Sequence, residues 1–512
     1  MKTTKKKDSS TEFDFEIIDT NWLDVHSLGG DEYNFGFWNF ELVRFGGQRS
    51  LNFKSVSQTR FFDILTNNGF CKRYRENGTF LLIHNKDNIL TIVNSTQIKD
   101  FVLKLLSKLP DEIDLLEFKV KTEKLREKFL KEHNYLFNES ALSPLNNHDT
   151  PLLSDSKKTM YFPFLNGVVE VTNERAHLKK YSELDNLCVW KQHIIQRIIT
   201  PSHEESMYEV FLRNVSNNDE TRINAMRAAI GYCLHRYYNE VNTKAVILYD
   251  EQITDSNSAN GGTGKGLFVG GISKMRNAEI VDGKKFSPTD KFSLQRINEL
   301  TEIVFFDDVR PDFEFERFNS ILTNGWEIEA KNQKTIRIPL GDSPKMIIAS
   351  NSVLKAKDGF TAERRQFILE FSDFYVKLKN KSQEPIVMVH GCVFFYSWDE
   401  NEWNRFYSFM IKSCVYYLKH GLPIVKSINV VYNRLLQNTS KEFVNWVKEK
   451  SFLENKQYLF SEYYEDFKSL YYGDSTTFSI FNFTKWMTYY AKTIGCEYTP
   501  IRFSGKSYFI FK

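Results

Sequence analysis

The middle of this 512-residue chain predicts an α/β fold, three-layered around a mainly parallel sheet. Three observations carry that expectation. Apolar runs recur at "KAVILYDE" (244–251), "EIVFFDD" (302–308) and "PKMIIASN" (344–351), and each ends in polar residues. Unbroken apolar runs of this length are what strands buried on both faces look like. Between the first two runs come a glycine-rich loop and the helix-like "LFVGGISKM" (267–275), the strand–loop–helix order of a parallel sheet.

The length suits about three domains at ~150 residues each, and the sequence suggests four regions. Residues 1–150 read as a mixed α/β domain of unknown role. "RFFDILTNNGF" (60–70) looks helical, "CKRYRENGTFLLIH" (71–84) a hairpin turning at Asn77-Gly78, and "STQIKDFVLKLLSKL" (95–109) an amphipathic helix with a Ser/Thr start. "NESALSPLNNHDTPLLSDSKK" (138–158) is rich in Asn, Ser and Pro and marks a linker or surface crossing. Residues 158–240 read as mainly helical, with short strands in "YFPFLNGVVEVT" (161–172) and a closing helix in "ETRINAMRAAIGYCLHRYY" (220–238). The α/β segment itself spans 241–376. Residues 377–512 are helical and finish with "YTPIRF" and "SYFIFK", joined at Ser504-Gly505-Lys506. That ending fits a winged helix and equally any small helical domain with a β-ribbon.

Composition excludes several classes. No apolar run approaches the ~20 residues of a membrane span, and the basic start "MKTTKKKDSS" lacks the apolar core of a secretory signal. Six scattered cysteines without a CxxC pair argue against a zinc ribbon or a disulfide framework and fit a reducing cytoplasm. The net charge of +3 is small, but residues 376–512 hold 18 Lys and Arg against 12 Asp and Glu. That surplus hints at an anionic partner toward the C-terminus.

The chemistry concentrates in the α/β segment. A phosphate-binding loop needs backbone N–H groups crowded round an oxyanion, a helix N-terminus behind them, and a lysine for the outer phosphates. "NGGTGKG" supplies Asn260, Gly261, Gly262, Thr263, Gly264, Lys265 and Gly266, directly after an apolar strand and before a helix. It departs from GxxxxGK[ST] at Ala259 and at Gly266, where a Mg²⁺-ligating hydroxyl is usual. Water can fill that position, since Mg²⁺ keeps several waters.

Asp307 and Asp308 end the second apolar strand, where one carboxylate serves Mg²⁺ and its neighbour orients the attacking water. Asp307 is assigned to the metal and Asp308 to the water. Asn351 ends the third strand and is placed to sense a γ-phosphate. Arg364 and Arg365, before "QFILEF", are candidates for a finger reaching a neighbouring subunit's nucleotide. Between the second and third strands, "WEIEAKNQKTIRIPL" (326–340) reads as a hairpin whose tip carries Lys331 and Lys334, suited to a nucleic-acid backbone.

Together these motifs resemble a superfamily 3 helicase, an AAA+-type P-loop ATPase. More narrowly, residues 160–375 resemble the phage and plasmid primase-helicase family related to poxvirus NTPase-primases. The resemblance rests on "FLNGVVEVTN", "AAIGYCLHRYY", "TEIVFFDDV", "SPKMIIASN" and "ERRQFILEF". It implies ATP and Mg²⁺ as cofactors and a ring, usually a homo-hexamer, unwinding forked DNA around a single strand. A separate primase or polymerase is an expected partner, and the host cytoplasm the expected location. Residues 1–150 offer only scattered carboxylates such as those of "FDFEIID", so no primase chemistry is expected of them. None of the ten histidines is paired one residue apart, which speaks against a rolling-circle nickase. A DNA-binding scaffold or loader without unwinding, and a partitioning-type ATPase, are the alternatives. Asn260 stands where the partitioning signature has lysine.

Overall fold

A computed structural model describes the chain except residues 1–14, 19–22, 30, 76, 133–134, 239–242, 252–261, 332–334, 355–363, 379–382, 426–428, 430–431, 433–434, 437 and 474–477. The chain divides into two units, Met1–Leu153 with Lys180–Ile194, and Ser154–Lys179 with Ile195–Lys512.

The first unit is mixed α/β. Strands Val25–Gly29, Glu32–Phe35, Trp38–Phe45 and Gln48–Val56 form an antiparallel meander. A second sheet pairs Phe70–Tyr74, Phe80–Lys86 and Ile89–Val93, and Val189–Trp190 joins its edge parallel to Ile89–Val93. The expected hairpin turns at Asn77-Gly78, where Gly78 takes φ +76°. The expected amphipathic helix runs over Ser95–Ser107. Its cap is Asn94, which accepts from the Gln97 backbone N–H while the Gln97 side chain accepts in return, satisfying two orphan donors at once.

The second unit opens with the short strands expected in 161–172 and one more: Met160–Phe164, Gly167–Val171 and Ala176–Lys179 form an antiparallel sheet. The run is rich in Val and Phe, which favour strands, and turns at Asn166-Gly167. Helices α1 (Met207–Val215) and α2 (Glu220–Leu234) follow. Nearly every residue of α2 from Arg222 onward is buried, because it packs against a later helix across the same core.

The centre is a five-stranded, all-parallel sheet. Its strands are β1 (Ala245–Asp250), β2 (Ala278–Asp282), β3 (Ile303–Val309), β4 (Lys345–Ser350) and β5 (Gln366–Phe371), in the order β2-β3-β4-β1-β5. Alternate residues of each inner strand enter different cores. Val246, Leu248, Phe305 and Ile347 face a helical layer that includes α3 (Lys265–Ser273) and α4 (Glu400–His420). Ile247, Val304, Phe306 and Ile348 face a second core with Phe286, Phe315, Phe318 and Trp326. Double burial explains the unbroken apolar runs.

The C-terminal part has its own core round Phe443, Trp446, Phe467 and Phe483. Helix Lys441–Lys450, strand Tyr458–Leu459, helices Phe460–Tyr471 and Ile480–Thr493, and strands Tyr498–Phe503 and Lys506–Phe511 succeed one another. The last strand sits between the other two. The hairpin turns on two residues, Ser504 (φ +48°) and Gly505 (φ +73°), the left-handed pair that matches strand twist. Among the described residues no helix is long and apolar enough to cross a membrane.

Candidate functional site

The polar ends of two central strands, β3 and β4, meet the glycine loop in one cleft of about 420 Å³. In an open parallel sheet the carboxyl ends of the strands are where a ligand fits, because the loops there diverge. Gly262, Thr263, Gly264, Lys265 and Gly266 line one side, and Asp307, Asp308 and Asn351 the other. Leu267, Tyr375, Pro385 and Ile386 supply an apolar wall, with Glu384 beside them.

The loop geometry explains the glycines. Gly264 takes φ +107° as the residue capping α3, and a Cβ there would lie 2.7 Å from the Phe211 ring. Gly262 takes φ +110°. The backbone therefore stays bare over the start of a nine-residue helix, with the positive end of that helix at the cleft.

One hydrogen-bond chain ties the polar residues together. Lys265 Nζ donates to Asp250 Oδ1 at 2.5 Å and to Asn351 Oδ1 at 2.8 Å. Asn351 Nδ2 donates to Asp308 Oδ1 at 2.8 Å, and Lys284 Nζ pairs with Asp308 Oδ2 at 2.5 Å. At the far end the Thr263 hydroxyl donates to Asp250 Oδ1 at 2.6 Å. Burial lowers the Lys265 pKa, and Asp250, Asp308 and Asp307 oppose that shift. Asp307 opens to the cleft, and its pKa is raised by desolvation first and by the neighbouring Asp308 charge second.

The acidic pair sits on an irregularity. Phe306 pairs with Ile348 and Val309 with Ser350, so two residues of β3 oppose one of β4. Asp308 accommodates the extra residue in the left-handed region, at φ +54°. A bulge of this kind re-aims side chains at a strand end. Here it places two adjacent carboxylates in one cleft, where a regular strand would send them to opposite faces.

Lys265, Asp307, Asp308, Asn351, Gly262, Thr263, Gly264 and Gly266 are thus brought together. Asn260 and Gly261 lie outside the described residues, as does Lys334. Lys331 is exposed at the turn of the hairpin Trp326–Ile328 and Ile336–Ile338, and is not among the cleft residues. Arg364 and Arg365 stand at the amino end of β5, ~20 Å of strand from the carboxyl ends. Arg364 is exposed, while Arg365 Nη1 donates to the Asn319 carbonyl at 2.7 Å. Sequence reasoning missed Asp250, Lys284 and Tyr375. Asp250 had a signal, as the polar end of the first apolar run. Lys284 had none, since its place depends on β2 lying beside β3.

No protein-family model matches the chain, and no curated protein does. Among solved structures it is similar to the A form apo structure of the NrS-1 C-terminal region, at 13% identity and a TM-score of 0.39. That likeness covers 88% of this chain and 97% of the other. The apo structure of NrS-1 residues 305–718 is similar at 12% identity and a TM-score of 0.37, over 90% and 99% of the two chains.

Proposed function

We propose that the chain is an ATP-dependent DNA helicase of superfamily 3, with an AAA+-like P-loop core, serving replication of a phage, plasmid or other mobile element. The supporting observation is the convergence of Lys265, Asp307, Asp308 and Asn351, from two strand ends and one loop, on a cleft that also carries bare backbone and an apolar wall. The residues suit ATP. Backbone N–H groups of 262–266 and the Lys265 ammonium take the phosphates, and Leu267, Tyr375, Pro385 and Ile386 take the base. Among the described residues no cluster of three metal-ligating side chains occurs. Mg²⁺ needs none, because phosphates and water supply most of its ligands.

Mg²⁺, when bound, neutralises charge on the transferred phosphoryl group. Asp307 would hold it. Asp308, fixed by Asn351 and Lys284, orients the attacking water and receives its proton. Lys265 exchanges its bonds to Asp250 and Asn351 for phosphate oxygens, and the second Nδ2–H of Asn351, beside the one given to Asp308, donates to an occupied γ-position. Arg364 acts on the neighbouring subunit's nucleotide in a homo-hexameric ring, and Lys331 and Lys334 touch single-stranded DNA. The C-terminal part is read as a winged helix whose exposed Lys485, Arg502 and Lys506 meet duplex phosphates.

The test is Mg²⁺-dependent ATP hydrolysis with and without single-stranded DNA, followed by unwinding of a forked duplex. The native chain is expected to hydrolyse ATP faster with DNA, and Lys265→Ala to lose on the order of 10²-fold or more in turnover. Hydrolysis without unwinding would favour the scaffold or loader. Equal activity in Lys265→Ala would sink the reading.

A further inference from the structure

A second cavity, of about 310 Å³, opens at the opposite end of the central sheet. Thr243 and Lys244, just before β1, and Lys345, the first residue of β4, form its floor. Tyr232, His235, Tyr237 and Tyr238 line it from α2 and the segment after it, and Tyr417 from α4. Lys157 completes the rim.

The charge pattern is one-sided. Among the described residues three lysines and a histidine line the space, and no carboxylate does. Lys345 is the informative member because it is only 4% exposed. Its ammonium lies 3.8 Å from the Tyr238 ring centre and 4.7 Å from that of Tyr232, and donates to the Tyr237 carbonyl at 3.2 Å. Among the described residues it pairs with no carboxylate. Buried cations are ordinarily paired, since ring faces and a single carbonyl replace only part of the lost hydration. Asp155 acts on Lys345 only through space, and an anion entering the cavity would supply a direct counter-charge and meet Lys244 and Lys157 as well.

The remaining surface is aromatic. The His235 and Tyr237 rings stack at 5.8 Å, and Tyr417 meets His235 edge-on at 5.8 Å. Tyr237 is 37% exposed, so it offers a ring to a flat group. Such stacking platforms beside a basic floor are what a base with an attached phosphate requires. The volume matches one nucleotide unit and falls at the low end of small-ligand pockets.

We propose that this cavity binds a single phosphorylated nucleoside, with the phosphate on Lys345 and Lys244 and the base against Tyr237. The unit is either a free mononucleotide or one residue of a DNA single strand. The site stands apart from the Lys265 cleft and does not require that cleft to hydrolyse ATP.

Titration calorimetry on the full chain in the Lys265→Ala background tests it, with AMP in one arm and a short oligodeoxythymidylate in the other. Binding of either probe is expected, and Lys345→Met, which keeps the volume while deleting the charge, should weaken it about tenfold or more. Tyr237→Ala is the second variant, placed at an exposed ring so that the fold is kept. AMP binding lost in these variants identifies a free nucleotide. Oligonucleotide binding lost without AMP binding identifies a strand. No binding of either probe, or binding unchanged in both variants, overturns the proposal. An inactive Lys265 cleft with this cavity still binding would separate the two readings.

Discussion

Gly264 and Gly266 lie two residues apart for opposite reasons. At Gly264 a Cβ would meet the Phe211 ring at 2.7 Å, and φ is +107°. Gly264→Ala should therefore cost on the order of 1–3 kcal/mol from backbone strain alone, read as a lowered melting temperature and slower ATP hydrolysis. At Gly266 a Cβ would meet nothing within 4 Å. Gly266→Ser is expected to fold at least as well, since a glycine inside a helix costs roughly 0.5–1 kcal/mol relative to alanine. It should also lower the Mg²⁺ concentration needed for half-maximal hydrolysis; an unchanged Mg²⁺ curve would show that the hydroxyl has no metal to meet. Lys345 carries a different prediction. Burial lowers its pKa from 10.5 to about 7, with Cys233 and Asp155 opposing, and Lys244, Lys157 and His235 line the same space. The unfolded chain keeps this proton to higher pH than the folded one. The residue's contribution to stability therefore rises as pH climbs from 7 toward 10.5 and is lost as pH falls back through 7. Lys345→Met should be more stable than the native chain at pH 7, and the gap should narrow by pH 9.5.

The strands were legible because each inner one is apolar on both faces, and the loop was legible because glycine and lysine have few other uses in that order. Register was not legible. Nothing in "FFDD" announces that Asp308 is the extra residue of a bulge, since the irregularity exists only against Ile348 and Ser350 of β4. Lys284 was hidden for the same reason, because strand order decides which loop meets which acid. The short strands within 161–172 were legible in "YFPFLNGVVEVT", whereas Ala176–Lys179, short and half-polar, was not. Element ends also separate the two arginines. Arg365 is tied to the Asn319 carbonyl, whereas Arg364 is exposed. Arg364→Ala should leave the melting temperature alone while depressing ATP hydrolysis in the assembled protein. Arg365→Ala should lower the melting temperature. Mixing Arg364→Ala with Lys265→Ala chains gives the decisive measurement: partial recovery of hydrolysis means that the arginine of one chain serves the lysine of another. No recovery at any ratio would remove the finger role. In the C-terminal part, Lys485, Arg502 and Lys506 reversed to glutamate should weaken duplex binding and flatten its salt dependence, by about one unit of slope for each phosphate no longer neutralised.

At the scale of the whole molecule the chain divides once inside its Asn-, Ser- and Pro-rich stretch, between Leu153 and Ser154, and again where composition gives no signal. Asn, Ser and Pro accumulate over 138–158, yet residues 180–194 return to the N-terminal unit after the second has begun. That return buries Cys188, Val189 and Trp190, and Val189 and Trp190 add a strand beside Ile89 and Leu90. A truncation starting at residue 158 would leave this strand without its sheet and expose its apolar side chains. The points of departure and return are close together. Ile195 bridges to Phe164, Phe164 pairs with Gly167, and Lys179 pairs with Val168, so both ends lie on one small sheet. Three strand spacings of ~4.8 Å separate them, or ~14 Å. About six Gly and Ser residues at ~3.3 Å each span that gap. Residues 154–512 with 180–194 replaced by such a linker are expected to be soluble, to melt in one transition and to hydrolyse ATP at the native basal rate. The plain 158–512 truncation is expected to aggregate. Equal solubility of the two fragments, compared by gel filtration at matched concentration, would mean that residues 180–194 pack as well without the N-terminal sheet as with it.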